Sequence, residues 1–333
     1  MTEPTTAVAG TLSARKLAVY AAAGLAATLV AALVCSLFGQ LELGVHVWMD
    51  RLLRAAAAGL VGAALAACGL ALQALLRNPL AEPYILGISS GAGVGVLLGL
   101  VLAGSVGAGW MTTPEWAVAG ALLTCVVVYG IAQRRGRLNP YVLLLAGVIV
   151  NIFNGAVMLA MLLLVDQRKI DYFVRWGMGR LPEWIDLGPL AICAACVLAG
   201  WAVLFVRGAA FNSLGLGDEV AGSAGVSVHR LRIETFLVVA VMTSAAVAMA
   251  GPIGFIGLIV PHCCRMIFGP DHRLLAIVSG FVGAIFLIVA DTLCRTVGPW
   301  LGTGEVPVGV VTALCGGPFF IYLLRSRMRE APA

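Results

Sequence analysis

Long runs free of Asp, Glu, Lys and Arg alternate along this chain with short polar breaks: 17 to 41, 55 to 76, 83 to 114, 116 to 133, 138 to 165, 187 to 206, 235 to 264, 274 to 290 and 306 to 324. A bilayer core accepts about 20 apolar residues per helix. Backbone groups in lipid must be satisfied within the element that carries them, so the pattern predicts spanning helices. A barrel would need short alternating segments instead, and they are absent. The run from 235 to 264 carries Gly251-Pro252 near its middle, where a helix breaks. Dividing it there gives ten predicted helices, approximately 17–39, 51–76, 84–104, 115–134, 139–165, 187–206, 231–250, 253–268, 273–295 and 306–325. The expected class is an all-α polytopic membrane protein with about ten transmembrane helices.

Charge supports an even count. Arg15 and Lys16 precede the first run and Arg325, Arg327 and Arg329 follow the last, which predicts both termini in the cytoplasm. On that topology fourteen basic residues fall inside and seven outside. Four of the seven lie in the 166–186 connection beside Asp166, Asp171, Glu183 and Asp186; the other three are Arg51, Arg54 and Arg295. Composition fits, with 61% hydrophobic and 11% charged residues and a mean hydropathy of +1.02. The net charge of +5 comes from loops and helix ends, so no nucleic-acid partner is implied. The first run is long for a signal-peptide core and its end lacks a cleavage pattern, so it is expected to be retained.

Candidate chemistry changes this little. The nine cysteines sit almost wholly in apolar runs, where they act as small hydrophobes, and Cys193-x-x-Cys196 has no His or charge beside it. His262 with Cys263 and Cys264 has no nearby carboxylate, so no metal site is expected. Gly87, Gly91, Gly95 and Gly99 mark a face for close helix packing. A phosphate-binding G-x-x-x-x-G-K-[ST] loop does not occur, and the chain has only Lys16 and Lys169. ATP chemistry is therefore not expected here, nor any enzyme activity.

Three segments stand out: Asn78-Pro79-Leu80-Ala81-Glu82-Pro83 with Leu86-Gly87-Ile88-Ser89-Ser90-Gly91-Ala92-Gly93; Gly251-Pro252-Ile253-Gly254-Phe255-Ile256-Gly257-Leu258-Ile259-Val260-Pro261-His262; and Pro307-Val308-Gly309-Val310-Val311-Thr312-Ala313. By its residues the first reads as a rigid turn on the inner side, and Gly251-Pro252 as a tight outer turn. In this order, over about 50 to 325, they resemble the permease subunits of type II ABC importers, the iron-siderophore, haem and cobalamin permeases of the bacterial inner membrane.

The resemblance implies a homodimer, two ATP-binding cassette subunits that bind ATP and Mg, and a periplasmic or lipid-anchored substrate-binding protein. No cofactor is implied in this subunit. The domains would be a cytoplasmic tail 1–16, a permease domain 17–325 and a cytoplasmic tail 326–333. Within 207–232, Leu214, Gly217, Asp218, Glu219, Val220, Ala221 and Gly225 read as a short amphipathic helix with glycine ends, and the resemblance makes it the coupling segment. Arg51, Arg54 and Arg295 would form an outer rim that docks the binding protein. Asn151 and Asn154 are polar residues on one helix face, a costly choice in lipid unless they meet other helices or water. The resemblance makes them, with Met158, lining residues of the translocation path at the dimer axis, and makes Asn139, Pro140 and Tyr141 the inner gate. Small hydroxyl residues are usual at that gate, and Arg180 stands where a small residue is expected. The alternative, an ion-coupled secondary transporter, needs ionisable groups within the helices. Asp291 is the one deep candidate, and it lies four residues from Arg295.

Overall fold

The computed structural model describes residues 13–39, 45–102, 113–134, 137–298, 302 and 304–330. They form α1 (Ala14–Ser36), α2 (Val45–Leu76), α3 (Ile88–Leu102), α4 (Thr113–Ala132), α5 (Pro140–Leu162), α6 (Gln167–Gly177), α7 (Leu187–Val206), α8 (Gly208–Gly215), α9 (Asp218–Ser223), α10 (Val228–Ala250), α11 (Ile256–Phe268), α12 (His272–Val297) and α13 (Val308–Glu330). A 3-10 turn, Pro83–Leu86, precedes α3, and Gln133–Arg134 pairs antiparallel with Arg137–Leu138 between α4 and α5. Among the described residues seven helices are long and apolar enough to cross a membrane, and three shorter apolar ones are Ile88–Leu102, Ile256–Phe268 and Val308–Ile321. Most of the predicted tail 1–16 lies outside the described residues, whereas α13 runs on through much of the predicted tail 326–333.

α2 is the axis of the bundle, buried along most of its length and packed by α12, α10, α11, α1 and α7. Its sequence explains why. Runs such as Ala55–Ala58 and the glycines at 59, 62 and 69 leave its surface nearly bare, so neighbouring backbones come into contact. Gly62 faces the Gly283 carbonyl of α12 and Gly69 faces Gly257 of α11. Van der Waals packing of small residues holds helices together where lipid removes the hydrophobic drive. The four-residue glycine repeat works the same way: Gly91 and Gly95 of α3 lie on Gly120 of α4, and Gly99 lies on Trp116.

The structure departs from the sequence reading in three places. The 166–186 connection contains a helix, α6, capped by the Asp166 carboxylate accepting from the Lys169 amide at 3.0 Å. The 207–232 segment holds two short helices, broken at Leu216-Gly217, rather than one. The third departure is the largest: the two turns assigned to opposite membrane faces meet. The Tyr84 hydroxyl accepts from the Ile253 amide at 2.8 Å, and the Glu82 carboxylate accepts from the Phe255 amide. Gly251 ends α10, residues 252–255 run non-helical, and α11 starts only at Ile256. Gly69, the partner of Gly257, lies seven residues before the end of α2, about 10 Å into the bundle at 1.5 Å per residue. Non-helical backbone at such depth survives only where protein groups satisfy it, and residues 82–84 do so.

Gly62→Leu should force α2 and α12 apart and destabilise the fold by roughly 1–3 kcal/mol, seen as a lower thermal midpoint in detergent. Gly130→Leu, a position with open space around it, should leave the midpoint unchanged.

Candidate functional site

At one end of the bundle, the Arg54 end, four segments converge on a buried ion network. Arg54 of α2 grips Asp291 of α12, with Nε 3.0 Å from Oδ2 and Nη2 2.9 Å from Oδ1. Its other edge meets Glu305, with Nη1 3.1 Å from Oε1 and Nη2 3.0 Å from Oε2. Arg180 donates to the same Oε2 at 3.0 Å and to Glu183 at 2.7 Å. Arg295 reaches Asp291 at 3.4 Å, one turn along α12. The Arg54 and Asp291 side chains are only 6% and 4% exposed, Glu305 23%. Arg51 is also buried, its Nη1 3.5 Å from the Ser36 carbonyl at the end of α1.

The three arginines read as an open outer rim are therefore not open. Arg51 and Arg54 are buried, and Arg54 already holds two carboxylates. Counting charges along the chain missed this because the partners, Asp291 and Glu305, are 237 and 251 residues away from Arg54 in sequence. Glu305 was missed altogether; its signal was a lone acid just before Pro307-Val308-Gly309. Burial alone would raise the Glu305 carboxyl, but Arg54 and then Arg180 hold it below the ordinary glutamate value. Backbone bonds tie the same region together: the Arg180 amide donates to Ala250 at 2.8 Å and the Gly309 amide to Gly179 at 3.0 Å.

At the opposite end, Arg77 follows α2 with φ 47°. Its Nε donates to the Leu214 carbonyl at 3.0 Å, and it pairs with Asp218, which also takes Arg232 of α10 at 2.8 Å. Asp218 sits in the first turn of α9, where a negative charge suits the helix dipole. Leu214 and Ala221 are buried, so they anchor α8 and α9, whereas Glu219 and Val220 are exposed and Leu216 is 75% exposed. Gly217 has φ 130° and Gly225 φ 81°, regions that an L side chain resists. The segment thus presents a small apolar patch on a fixed base.

Asn139 caps α5, its side chain accepting from the amides of Tyr141 and Val142 at 3.0 and 3.3 Å, with Pro140 in the first helical turn. Tyr141 is 83% exposed. Further along α5 the polar residues turn inward. Asn151 donates to the Tyr84 carbonyl at 3.1 Å and accepts from Ser90 at 2.7 Å; Asn154 donates to Ser90 and Thr124 at 3.1 and 3.3 Å. Met158 lies over Gly93. Asn154 is buried, so it braces α3, α4 and α5 and lines no open surface of the protomer, while Asn151 is half-buried at its border. The open face of α5 is apolar: Leu145, Val148, Ile149, Ile152 and Phe153. Among the described residues, no group of three His, Cys, Asp or Glu is placed to hold a metal ion.

A bundle of long apolar helices with a helix broken at depth is the architecture of a polytopic membrane protein. The FecCD transport family profile matches residues 17–326, and the chain belongs to that family, the permease subunits of type II ABC importers. It is 42% identical over 279 residues to a cobalamin import system permease of Halobacterium salinarum, covering 83% of this chain and 72% of the relative. It is 38% identical over 288 residues to a hemin transport system permease of Yersinia pestis, covering 86% and 84%. A metal-chelate type ABC transporter in an inward-facing conformation superposes with a TM-score of 0.80 at 26% identity, covering 93% of this chain and 99% of that one.

Two outcomes follow for the Arg54 end. Arg54→Met should cost about 3–5 kcal/mol, because it takes the bidentate partner from buried Asp291 and leaves it only the longer contact to Arg295, and Arg54→Met with Asp291→Leu should recover part of that loss in thermal unfolding. Glu305 has a folded-state pKa below its unfolded value, so its stabilisation is full above the ordinary glutamate range and lost as pH falls through the depressed value. Glu305→Gln should therefore reduce stability at pH 7 and lose its effect as pH falls through the depressed folded-state value and the wild-type carboxylate takes up its proton.

Proposed function

We propose that this chain is the homodimeric permease of a binding-protein-dependent ABC importer for iron-siderophore, haem or cobalamin-type compounds. The observation that carries the reading is the family match across residues 17–326, joined to relatives named for cobalamin and hemin import. Ten helices span the inner membrane, the seven long ones and the three short apolar ones together, with both termini and the Arg77 end in the cytoplasm. The Arg54 end then faces the binding protein. Two copies meet along the apolar face of α5, so the path runs at the dimer axis with Asn151 at its border and Asn139, Pro140 and Tyr141 at its inner mouth.

Two ATPase subunits bind and hydrolyse ATP with Mg and supply the free energy. α8 and α9 seat Leu216 and Val220 on them, and Arg77 and Arg232 carry the movement through Asp218 into α2 and α10. The permease catalyses no bond chemistry. Surface charge at the other end would steer a binding protein and set its register.

Purified permease and ATPase in proteoliposomes, with binding protein outside, should take up substrate only with ATP. Uptake under a proton or sodium gradient without the ATPase would instead favour a secondary transporter. Val220→Glu or Gly217→Val should abolish co-purification of the ATPase while membrane insertion stays normal; intact assembly of both variants would remove the coupling role of this segment.

A further inference from the structure

The Arg54 end poses a problem for docking. A protein that lands there and recognises arginine finds Arg54 buried and already paired on both edges. Stripping a carboxylate from a buried arginine without replacement costs several kcal/mol, so no simple approach to Arg54 is favourable. The two carboxylates are not equivalent, however. Asp291 lies within α12 and is 4% exposed; Glu305 lies in the irregular stretch before α13 and is 23% exposed. Among the described residues the hydrogen-bond partners of Glu305 are arginines, Arg54 at Oε1 and Arg54 with Arg180 at Oε2, and Arg180 has a second partner in Glu183, itself 61% exposed.

We propose that Arg54 and Arg180 form a carboxylate-exchange site, occupied at rest by Glu305 and taken over by a side-chain carboxylate of the docking substrate-binding protein. This rests on the docking reading above. The exchange is charge-neutral: one carboxylate leaves the cradle as another enters, the number of ion pairs is conserved, and Arg54 stays fixed because Asp291 never lets go. Bidentate guanidinium geometry selects a planar carboxylate over chloride. Displacing Glu305 also unties the stretch leading into α13, next to the Gly309 to Gly179 hydrogen bond. Docking would thus be transmitted to α13 and, through Arg180 and Ala250, to the end of α10. Arg180, which stands where the family resemblance leads one to expect a small residue, is what completes the cradle.

The test uses the assembled transporter in nanodiscs with Glu305→Ala and, as an isosteric control that keeps the shape, Glu305→Gln. Without the internal competitor, the binding protein should dock about tenfold more tightly on the alanine variant, with glutamine in between. Sodium acetate should raise the thermal midpoint of the alanine variant, but not of wild type, relative to equal sodium chloride. Docking that is unchanged or weaker on both folded variants overturns the exchange. No acetate effect on the alanine variant overturns the cradle itself. If acetate acts but the binding protein docks on neither wild type nor variant, the cradle stands and the docking reading falls.

Discussion

Everything at the centre of this bundle depends on one constraint: a peptide group inside a membrane cannot be left without a partner. The chain breaks this rule locally, at residues 252–255, and repairs it with side chains. Glu82 and Tyr84 stand in for the turn of helix that is missing, and the carboxylate lies at the positive end of α11. Because the donors and acceptors come from segments about 170 residues apart, the break fixes how the first and last thirds of the chain meet. Asn151, bonded to the Tyr84 carbonyl, extends the same arrangement to α5. A discontinuity is thus a junction.

The two ends are built on different physics. At the Arg54 end the Arg54–Asp291 pair is enclosed and bidentate, and its loss would be felt in the stability of the whole bundle. At the Arg77 end the Arg77 and Asp218 side chains are 41% and 45% exposed, a setting in which ion pairs contribute little by themselves. That end is suited to being remade against a partner surface.

The helices were legible because lipid imposes one simple rule on composition, and runs without charge mark them with nearly correct bounds. The glycine repeat of α3 was legible for a related reason, since small residues at four-residue spacing have few uses other than close packing. Depth was not legible. Asn78–Pro83 and Gly251-Pro252 each read as a surface turn, because proline and glycine mark a break without saying where in the membrane it falls. Pairing across the fold was equally hidden: Arg54 has no sequence neighbour that reveals Glu305, and Asn154 looks the same whether it faces water or Thr124. The amphipathic α6 was overlooked since it is too polar and short to register as a span. Family resemblance supplied roles for the arginines of α2 that their burial in the free protomer now qualifies.

One peptide group at the Arg54 end, between Gly179 and Arg180, joins three helices. The carbonyl of Gly179 holds α13, the next amide holds the end of α10, and the preceding residues are the last turn of α6. Two hydrogen bonds from one peptide group thus tie the Arg54-end portions of α10 and α13 to the end of α6, so a displacement of any one of the three strains its bonds to the others.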